Sequence, residues 1–267
     1  MITGHCAQSP THLVCKLRKS IYGLKQASRS WYQKIDAFLT SSNFNRLHAD
    51  HCIYVYRTNE VIFFFALYVD DLLLVSNSMM HLNKFKQSLS NEFDMKDLGD
   101  VHYLLGIQIK RNTTQRTITL SQQLYIKKVI ERFGMSESKP VSTPLDHGIK
   151  LARSSSTNGN SHLDDSGKIS YQSALGPIMY VMLATRPDIS FAITSLSQFS
   201  SCPSEEHWIA IKRVLRYLKG TMDYRLVYDG KSKRNPEVLT GYCDADWGNC
   251  TDDGRSITGL LFSLPMA

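Results

Sequence analysis

Apolar residues along this chain recur at helical spacing in some stretches and cluster in runs of β-branched and aromatic residues in others, and the switches between the two outline its elements. Between Ser28 and Ser42, Trp31, Ile35, Phe38 and Leu39 fall at helical spacing, with Gln33, Lys34 and Asp36 on other faces, which predicts a helix docked by that stripe. Cys52 to Tyr56 and Val61 to Val75 are rich in Val, Ile, Phe and Tyr and flank the turn-like Arg57 to Glu60, the pattern of consecutive buried strands. Helical spacing returns with Leu82, Phe85, Leu89 and Phe93. A strand pair is expected over Val101 to Ile109 and Thr117 to Leu120, joined by the polar stretch Lys110 to Arg116. Gln122 to Phe133 then reads as a helix, with Ser121 as N-cap and Gly134 as stop signal.

From Lys150 to Ser170 polar residues dominate and too few apolar ones remain to bury, so this stretch is expected to be a linker. Helices are expected around Tyr171 to Ala184 and Pro187 to Ser200, with Pro187 suited to a first helical turn. A third spans Glu205 to Lys219, with Trp208, Ile211, Leu215 and Leu218 on one face and Lys212, Arg216 and Lys219 on another. Val238 to Asp244 and Ser256 to Ser263 read as strands. No internal repeat is evident.

Composition narrows the class. The chain has 267 residues, 42% hydrophobic and 21% charged, which excludes a collagen-like, coiled-coil or wholly disordered chain and fits one large or two small domains. The formal net charge of +7 favours an anionic partner. The six cysteines, Cys6, Cys15, Cys52, Cys202, Cys243 and Cys250, form no C-x-x-C pair, and no secretory signal opens the chain, so they read as reduced thiols of a cell interior. Asp70 and Asp71 interrupt the longest apolar run, leaving pieces well short of the roughly 20 residues that cross a bilayer. No membrane partner is expected.

Those two aspartates carry the most information. Nine apolar residues, Val61 to Val69, lead into them and four more, Leu72 to Val75, lead out. Unpaired carboxylates beside a core are strongly disfavoured, so the pattern calls for a turn reaching solvent, for cations, or for both. A solvated corner and a divalent-metal site both satisfy it. Mg2+ fits such a tip, because one or two carboxylates together with substrate phosphates hold it. His48, His51 and Cys52 have no fourth ligand at a finger-like spacing, and no zinc site is expected there. Signatures of P-loop nucleotidases and α/β-hydrolases are missing.

Tyr68-Val69-Asp70-Asp71 resembles the Y-x-D-D signature of reverse transcriptases, and its surroundings resemble copia-type LTR retrotransposon Pol polyproteins. Val14 to Tyr32, which reads V-C-K-L-R-K-S-I-Y-G-L-K-Q-A-S-R-S-W-Y, is similar to a long block of that family. So are Met95 to Gly99, Leu105 to Ile107, Pro140 to Pro144, Thr185 to Ala192 and Leu215 to Thr221, in the family's order. The resemblance implies an α+β fold: a polymerase palm-type antiparallel sheet covered by helices, a helix-rich connection, and a truncated ribonuclease H-like β-hairpin. The corresponding expected segments are 14–149 for palm and thumb, 150–170 for a linker, 171–237 for the connection and 238–267 for the ribonuclease H start.

The resemblance also implies roles. Asp70 and Asp71 would be the catalytic metal ligands for two Mg2+ ions, with Mn2+ as a substitute, and Tyr68 and Val69 would lie beside the primer terminus and duplex. Gly23, Lys25, Gln26 and Arg29 would line the nucleotide and template site; Ser28 stands where the family has proline. Leu105 and Gly106 would form the primer grip, and Lys96 is a candidate proton donor to pyrophosphate. Implied partners are an RNA or DNA template-primer, dNTPs and other element-encoded proteins, in cytoplasm or nucleus. The family places a third palm carboxylate some tens of residues before the Tyr22 to Tyr32 block, and Met1 to Ser20 contains no Asp or Glu, so weak metal binding and poor polymerisation are expected of this chain alone. Gly241 to Gly248 resembles the first ribonuclease H strand, with Asp244 as metal ligand ahead of Asp246 and Cys243 in place of Ser or Thr. About 20 residues follow Trp247, against a domain minimum near 50, so no hydrolysis of RNA in a hybrid is expected. The alternative to a polymerase is a catalytically dead nucleic-acid-binding remnant.

Overall fold

The computed structural model describes residues 5–8, 13–17, 19–146, 148–149, 151–152, 165–231, 239–248, 252 and 254–263. It divides into two compact units, Met1–Gly99 and Asp100–Ala267. The boundary falls inside the 14–149 segment expected as palm and thumb.

The first unit opens with strands β1 (His5–Gln8) and β2 (Leu13–Lys16), an antiparallel pair absent from the sequence reading. Helix α1 (Ala27–Ser41) follows, then strands β3 (Asn45–Arg46), β4 (Ile53–Arg57), β5 (Ile62–Tyr68) and β6 (Asp71–Ser76), and helix α2 (Met79–Glu92). The last four strands form one antiparallel sheet in the order β3-β4-β5-β6. Its strands alternate, and this corrects the expectation of buried strands: Phe63, Phe65 and Leu67 face a core, whereas Ile62, Phe64 and Tyr68 point outward and are exposed. The core is a cluster of Phe44, Tyr54, Phe63, Phe65 and Phe93 with Ile35 and Leu39 of α1 and Leu89 of α2. Phe44 meets Phe63 edge-on at 5.4 Å and Phe85 at 4.8 Å, so rings rather than aliphatic side chains fill most of the space. The α1 stripe is the expected one: Ile35 and Leu39 are fully buried, and Trp31 and Phe38 are half-buried against the same cluster.

In the second unit, the single strand expected over Val101 to Ile109 folds back on itself. Leu105 and Gly106 both take positive φ, 50° and 78°, and divide it into β7 (Tyr103–Leu104) and β8 (Ile107–Asn112). Strand β8 therefore continues through Lys110, which was expected in the connecting turn, and pairs with β9 (Thr117–Ser121). Strand β10 (Leu226–Asp229), not foreseen from sequence, completes a sheet in the order β10-β9-β8-β7.

Helix α3 (Gln123–Arg132) ends at Gly134, whose φ of +64° suits the stop read from sequence. Helix α4 (Asp165–Ala184) starts six residues before the expected Tyr171 and takes in the end of the presumed linker, most of which lies outside the described residues. The helix expected over Pro187 to Ser200 is a 3-10 turn, Pro187–Ile189, followed by the shorter α5 (Ser190–Ser197). Helix α6 (Glu205–Gly220) carries the expected apolar face. Ile126, Val129, Ile178, Val181, Ile193, Val214 and Leu215, with their neighbours on α3 to α6, form this unit's core. Each such side chain, once buried, contributes about 1.5–3 kcal/mol. Strands β11 (Thr240–Ala245) and β12 (Thr258–Ser263) pair only with each other among the described residues. No described helix is long and apolar enough to cross a membrane.

Candidate functional site

Strands β5 and β6 are joined by two residues, Val69 and Asp70, with Tyr68 paired to Asp71. Val69 takes φ +52°, a conformation that costs an L-residue about 1–2 kcal/mol and that β-branching makes worse. A tight hairpin with a positive φ at its first loop position keeps the strands' right-handed twist continuous. The strained residue is held from outside: the Trp31 indole N–H donates to the Val69 carbonyl at 2.7 Å, while the Trp31 ring packs edge-on against Phe93 at 5.4 Å. Helix α1 thereby fixes the tip. Both aspartates are exposed there, as are Tyr68 and Val69, at 58% and 62%.

The tip meets a second block of the sequence. The Tyr22 hydroxyl donates to Asp70 Oδ2 across 48 residues. That hydrogen bond, reinforced by the Asp70 charge and slight burial, pushes the Tyr22 phenol above its ordinary value. Gly23, next in the chain, has φ +91°, a conformation that favours glycine at this turn. Lys25, Gln26 and Arg29 are exposed around the start of α1. Gln26 occupies the N-cap without a side-chain cap, and the first turn holds no acid, so nothing of this helix's own offsets its positive end. The structure thus joins Tyr22, which directly precedes the Gly23 to Arg29 block, to Asp70. Sequence reading placed Tyr22 only within a motif, and Trp31 within the same motif and in a core stripe. A donor-bearing aromatic at the edge of an apolar stripe was the available signal for Trp31.

The Leu105–Gly106 turn repeats the device. Leu105 is strained at φ +50°, and the Tyr180 hydroxyl donates to its carbonyl. A Cβ on Gly106 would meet the Tyr125 ring at 3.5 Å, and Tyr125 meets Tyr180 edge-on at 5.3 Å.

Other blocks singled out in the sequence have structural work. Arg186, 1% exposed, forks onto Asp188 at 2.9 and 2.7 Å and donates to the Thr221 carbonyl and hydroxyl at 2.9 and 2.6 Å. Burial raises the Asp188 carboxyl, but the hydrogen bonds from Arg186 and Tyr217 outweigh it and hold the group below its usual range. Thr185 bonds Gln122 at 2.8 Å. These contacts tie Thr185 to Ala192 to Leu215 to Thr221, two of the matched blocks. The basic stripe of α6 is engaged too: Arg216 donates to the Lys139 carbonyl at 2.6 Å, Lys219 to the Ser136 and Ser138 carbonyls, and Lys212 lies over the Trp208 ring at 5.3 Å. Asp97 is held below its usual range by the Gly99 N–H at 2.9 Å and by Lys86 at 3.0 Å, whereas Lys96 is exposed.

Asp244 lies on β11 opposite Gly259, exposed, and accepts the Ala245 N–H at 2.9 Å. Asp246 accepts the Ile257 N–H at 2.6 Å and so closes the β11–β12 pair rather than facing a ligand. Among the described residues no three His, Cys, Asp or Glu side chains converge as a metal cage. The donor set at Asp70 and Asp71 still fits Mg2+, since two hard carboxylates leave positions for phosphate oxygens, and Tyr22 would give up its bond to Asp70 Oδ2 if that oxygen were a ligand.

Residues 3–147 match the family model described as reverse transcriptase (RNA-dependent DNA polymerase). The chain is 44% identical over 95% of its length to the retrovirus-related Pol polyprotein from transposon TNT 1-94 of Nicotiana tabacum, covering 19% of that protein. It is 39% identical over 98% of its length to the Pol polyprotein from transposon RE1 of Arabidopsis thaliana, covering 17% of it. It is also 41% identical over 75% of its length to an uncharacterized mitochondrial protein of Arabidopsis thaliana, covering 78% of that chain. The chain therefore spans less than a fifth of the length of these Pol polyproteins. No solved structure matches it.

Proposed function

Because the chain belongs to the reverse transcriptase family of copia-type Pol polyproteins, we propose that it is the palm, thumb and connection portion of an RNA-directed DNA polymerase, followed by the opening strands of a ribonuclease H fold. The observation that carries this reading is the braced β5–β6 tip, where Trp31 holds the strained Val69 and adjacent carboxylates stand clear of the core. The reaction is attack of a primer 3′-hydroxyl on the α-phosphate of a dNTP, with pyrophosphate leaving.

In that reaction Asp70 and Asp71 hold Mg2+, which when bound stabilises charge on the attacking and leaving oxygens. Lys25 and Arg29 offer positive charge to triphosphate or template, beside the uncapped end of α1. Tyr68 and Val69 present exposed apolar surface to the primer end. Tyr22 holds the Asp70 carboxylate oriented until the site fills. Among the described residues β6 has no strand on its outer side, so its backbone is free to pair with a further strand, and an acid carried there would complete the set. Asp244 is the corresponding candidate for the ribonuclease H site.

The noncatalytic alternative has its own support, since no third acid joins the two carboxylates among the described residues. Primer extension on an RNA template with dNTPs and Mg2+ tests the choice. The chain by itself is expected to extend weakly, and a longer polypeptide that adds an acid-bearing strand to β6 is expected to extend robustly and to lose that activity with Asp70→Asn. Extension that survives Asp70→Asn contradicts the polymerase reading.

A further inference from the structure

The basic stripe of α6 is engaged by main-chain carbonyls and the Trp208 ring, whereas two cations without partners among the described residues come together elsewhere in the second unit. They converge on one face of the β10-β9-β8-β7 sheet. Gln108 pairs with Ser121 and Lys110 with Thr119 across β8 and β9, so strand alternation puts all four on the same side, away from Ile107, Ile109 and Leu120. Val227 of β10 pairs with Thr119, which sets Arg225, two residues earlier, beside Ser121. Together with Gln123 and Asp223 these side chains line a shallow cleft of about 60 Å³. A single water needs about 10–15 Å³ of such space, so the cleft has room for a tetrahedral oxyanion.

Among the described residues neither Lys110 nor Arg225 has an ion-pair or hydrogen-bond partner, whereas Arg186, Arg213, Arg216 and Lys219 of the same unit all have one. Two cations against the single Asp223 leave the cleft with a local charge of +1, ringed by hydroxyl and amide donors. The face is continuous through β8 with the braced Leu105–Gly106 turn, so it is carried on a rigid element.

We infer that this cleft binds the phosphodiester backbone of nucleic acid, with Lys110 and Arg225 as its charge contacts and Thr119, Ser121, Gln108 and Gln123 as hydrogen-bond donors. The contact proposed is sequence-independent, because charge and hydrogen bonds to phosphate oxygens carry no base information. The identity of the ligand rests on the polymerase reading; the site itself does not involve Asp70 or Asp71.

The test is equilibrium binding of a labelled mixed-sequence DNA duplex of about 20 base pairs to the chain, followed by anisotropy in EDTA from about 50 to about 250 mM KCl. Omitting divalent metal keeps a failure of the carboxylate site from entering the result. Each lost phosphate contact lowers the slope of log K against log salt by about 0.9, so Lys110→Ala/Arg225→Ala is expected to lower it by about 1.8. Lys110→Gln/Arg225→Gln, which keeps side-chain bulk, is expected to do the same. Arg111→Ala/Lys84→Ala, charge-matched but on the opposite face of β8 and on α2, is expected to leave the slope unchanged. A slope that stays within about 0.5 of the parent in both cleft variants, or one that falls equally in the control, overturns the assignment.

Discussion

Two hairpin-like pairs in this molecule carry neighbouring acids, and they differ in everything except local pattern. In β5–β6, Phe63, Phe65 and Leu67 are at most 6% exposed against α1 and α2, and Trp31 reaches the tip to hold Val69. In β11–β12 every residue of β11 is exposed, and Leu260, Leu261 and Phe262 of β12 stand 59–65% open. Strand-forming residues suffice to draw both pairs, but only burial and an external brace give an acid a fixed position. An isolated pair of strands is marginal in water. Asp70 and Asp71 are therefore presented, whereas Asp244 rides on a ribbon that lacks a covering layer among the described residues.

The largest test of this contrast is core deletion. Phe65→Ala removes a ring that packs on Phe44, Tyr54 and Phe85 and is expected to cost about 3–5 kcal/mol in denaturant unfolding. Leu261→Ala is expected to stay within about 0.5 kcal/mol, the range of exposed sites. Comparable losses from both would erase the distinction. Next is the brace: Trp31→Phe keeps an aromatic ring but removes the N–H, and is expected to cost about 1 kcal/mol and to speed amide exchange at the Tyr68 to Asp71 turn ahead of the rest of β5. Unchanged exchange there would mean that the hairpin holds Val69 without help.

Mild acid gives the smallest effect and separates the units. Burial holds the His207 imidazole below its ordinary value, only partly offset by Glu206 and Asp252; its ring stacks on Phe199 and its Nδ1 accepts the Ser204 N–H at 2.8 Å. The unfolded chain then binds the proton more tightly, so this contribution is present above the unfolded value of about 6.5 and is lost as pH falls through the lower folded value. Asp97 in the first unit also has a lowered value, but its contribution is present above about 3.9 and is lost only below that. Between about pH 7 and pH 5 the stability of α6 is expected to fall and the exchange of β5–β6 amides to stay level, with His207→Gln flattening the α6 response. A pH response of α6 that is identical in His207→Gln would rule out this histidine as the cause.

Much of this was legible in the chain. Helical spacing located α1, α2, α3 and α6, because each buries a regular stripe, and the apolar runs on either side of the two aspartates located the β5–β6 pair. The β3 and β10 strands were not, since two and four residues of mixed polarity carry no period of their own and exist by pairing with neighbours. The fold-back at Leu105 lies inside a strand-like run, where Gly106 and the resemblance of Leu105 and Gly106 to the primer-grip hairpin were the signs of a turn. At the site, the acids could be read from composition, but the donors of Trp31, Tyr180 and Tyr22 act over 38, 75 and 48 residues, a separation that local pattern does not encode. The α6 cations looked free because their partners are backbone carbonyls, which every residue has.

The central claim is that the braced tip, and not the bare ribbon, gathers divalent metal. It is tested most directly by Mn2+ titration of the chain in the presence of a dNTP, followed by electron paramagnetic resonance, with Asp70→Asn and Asp244→Asn compared with the parent. Loss of a ligand is expected to weaken binding at least about tenfold in Asp70→Asn and to leave Asp244→Asn within about twofold. Binding that survives Asp70→Asn, or that is lost with Asp244→Asn instead, would contradict it.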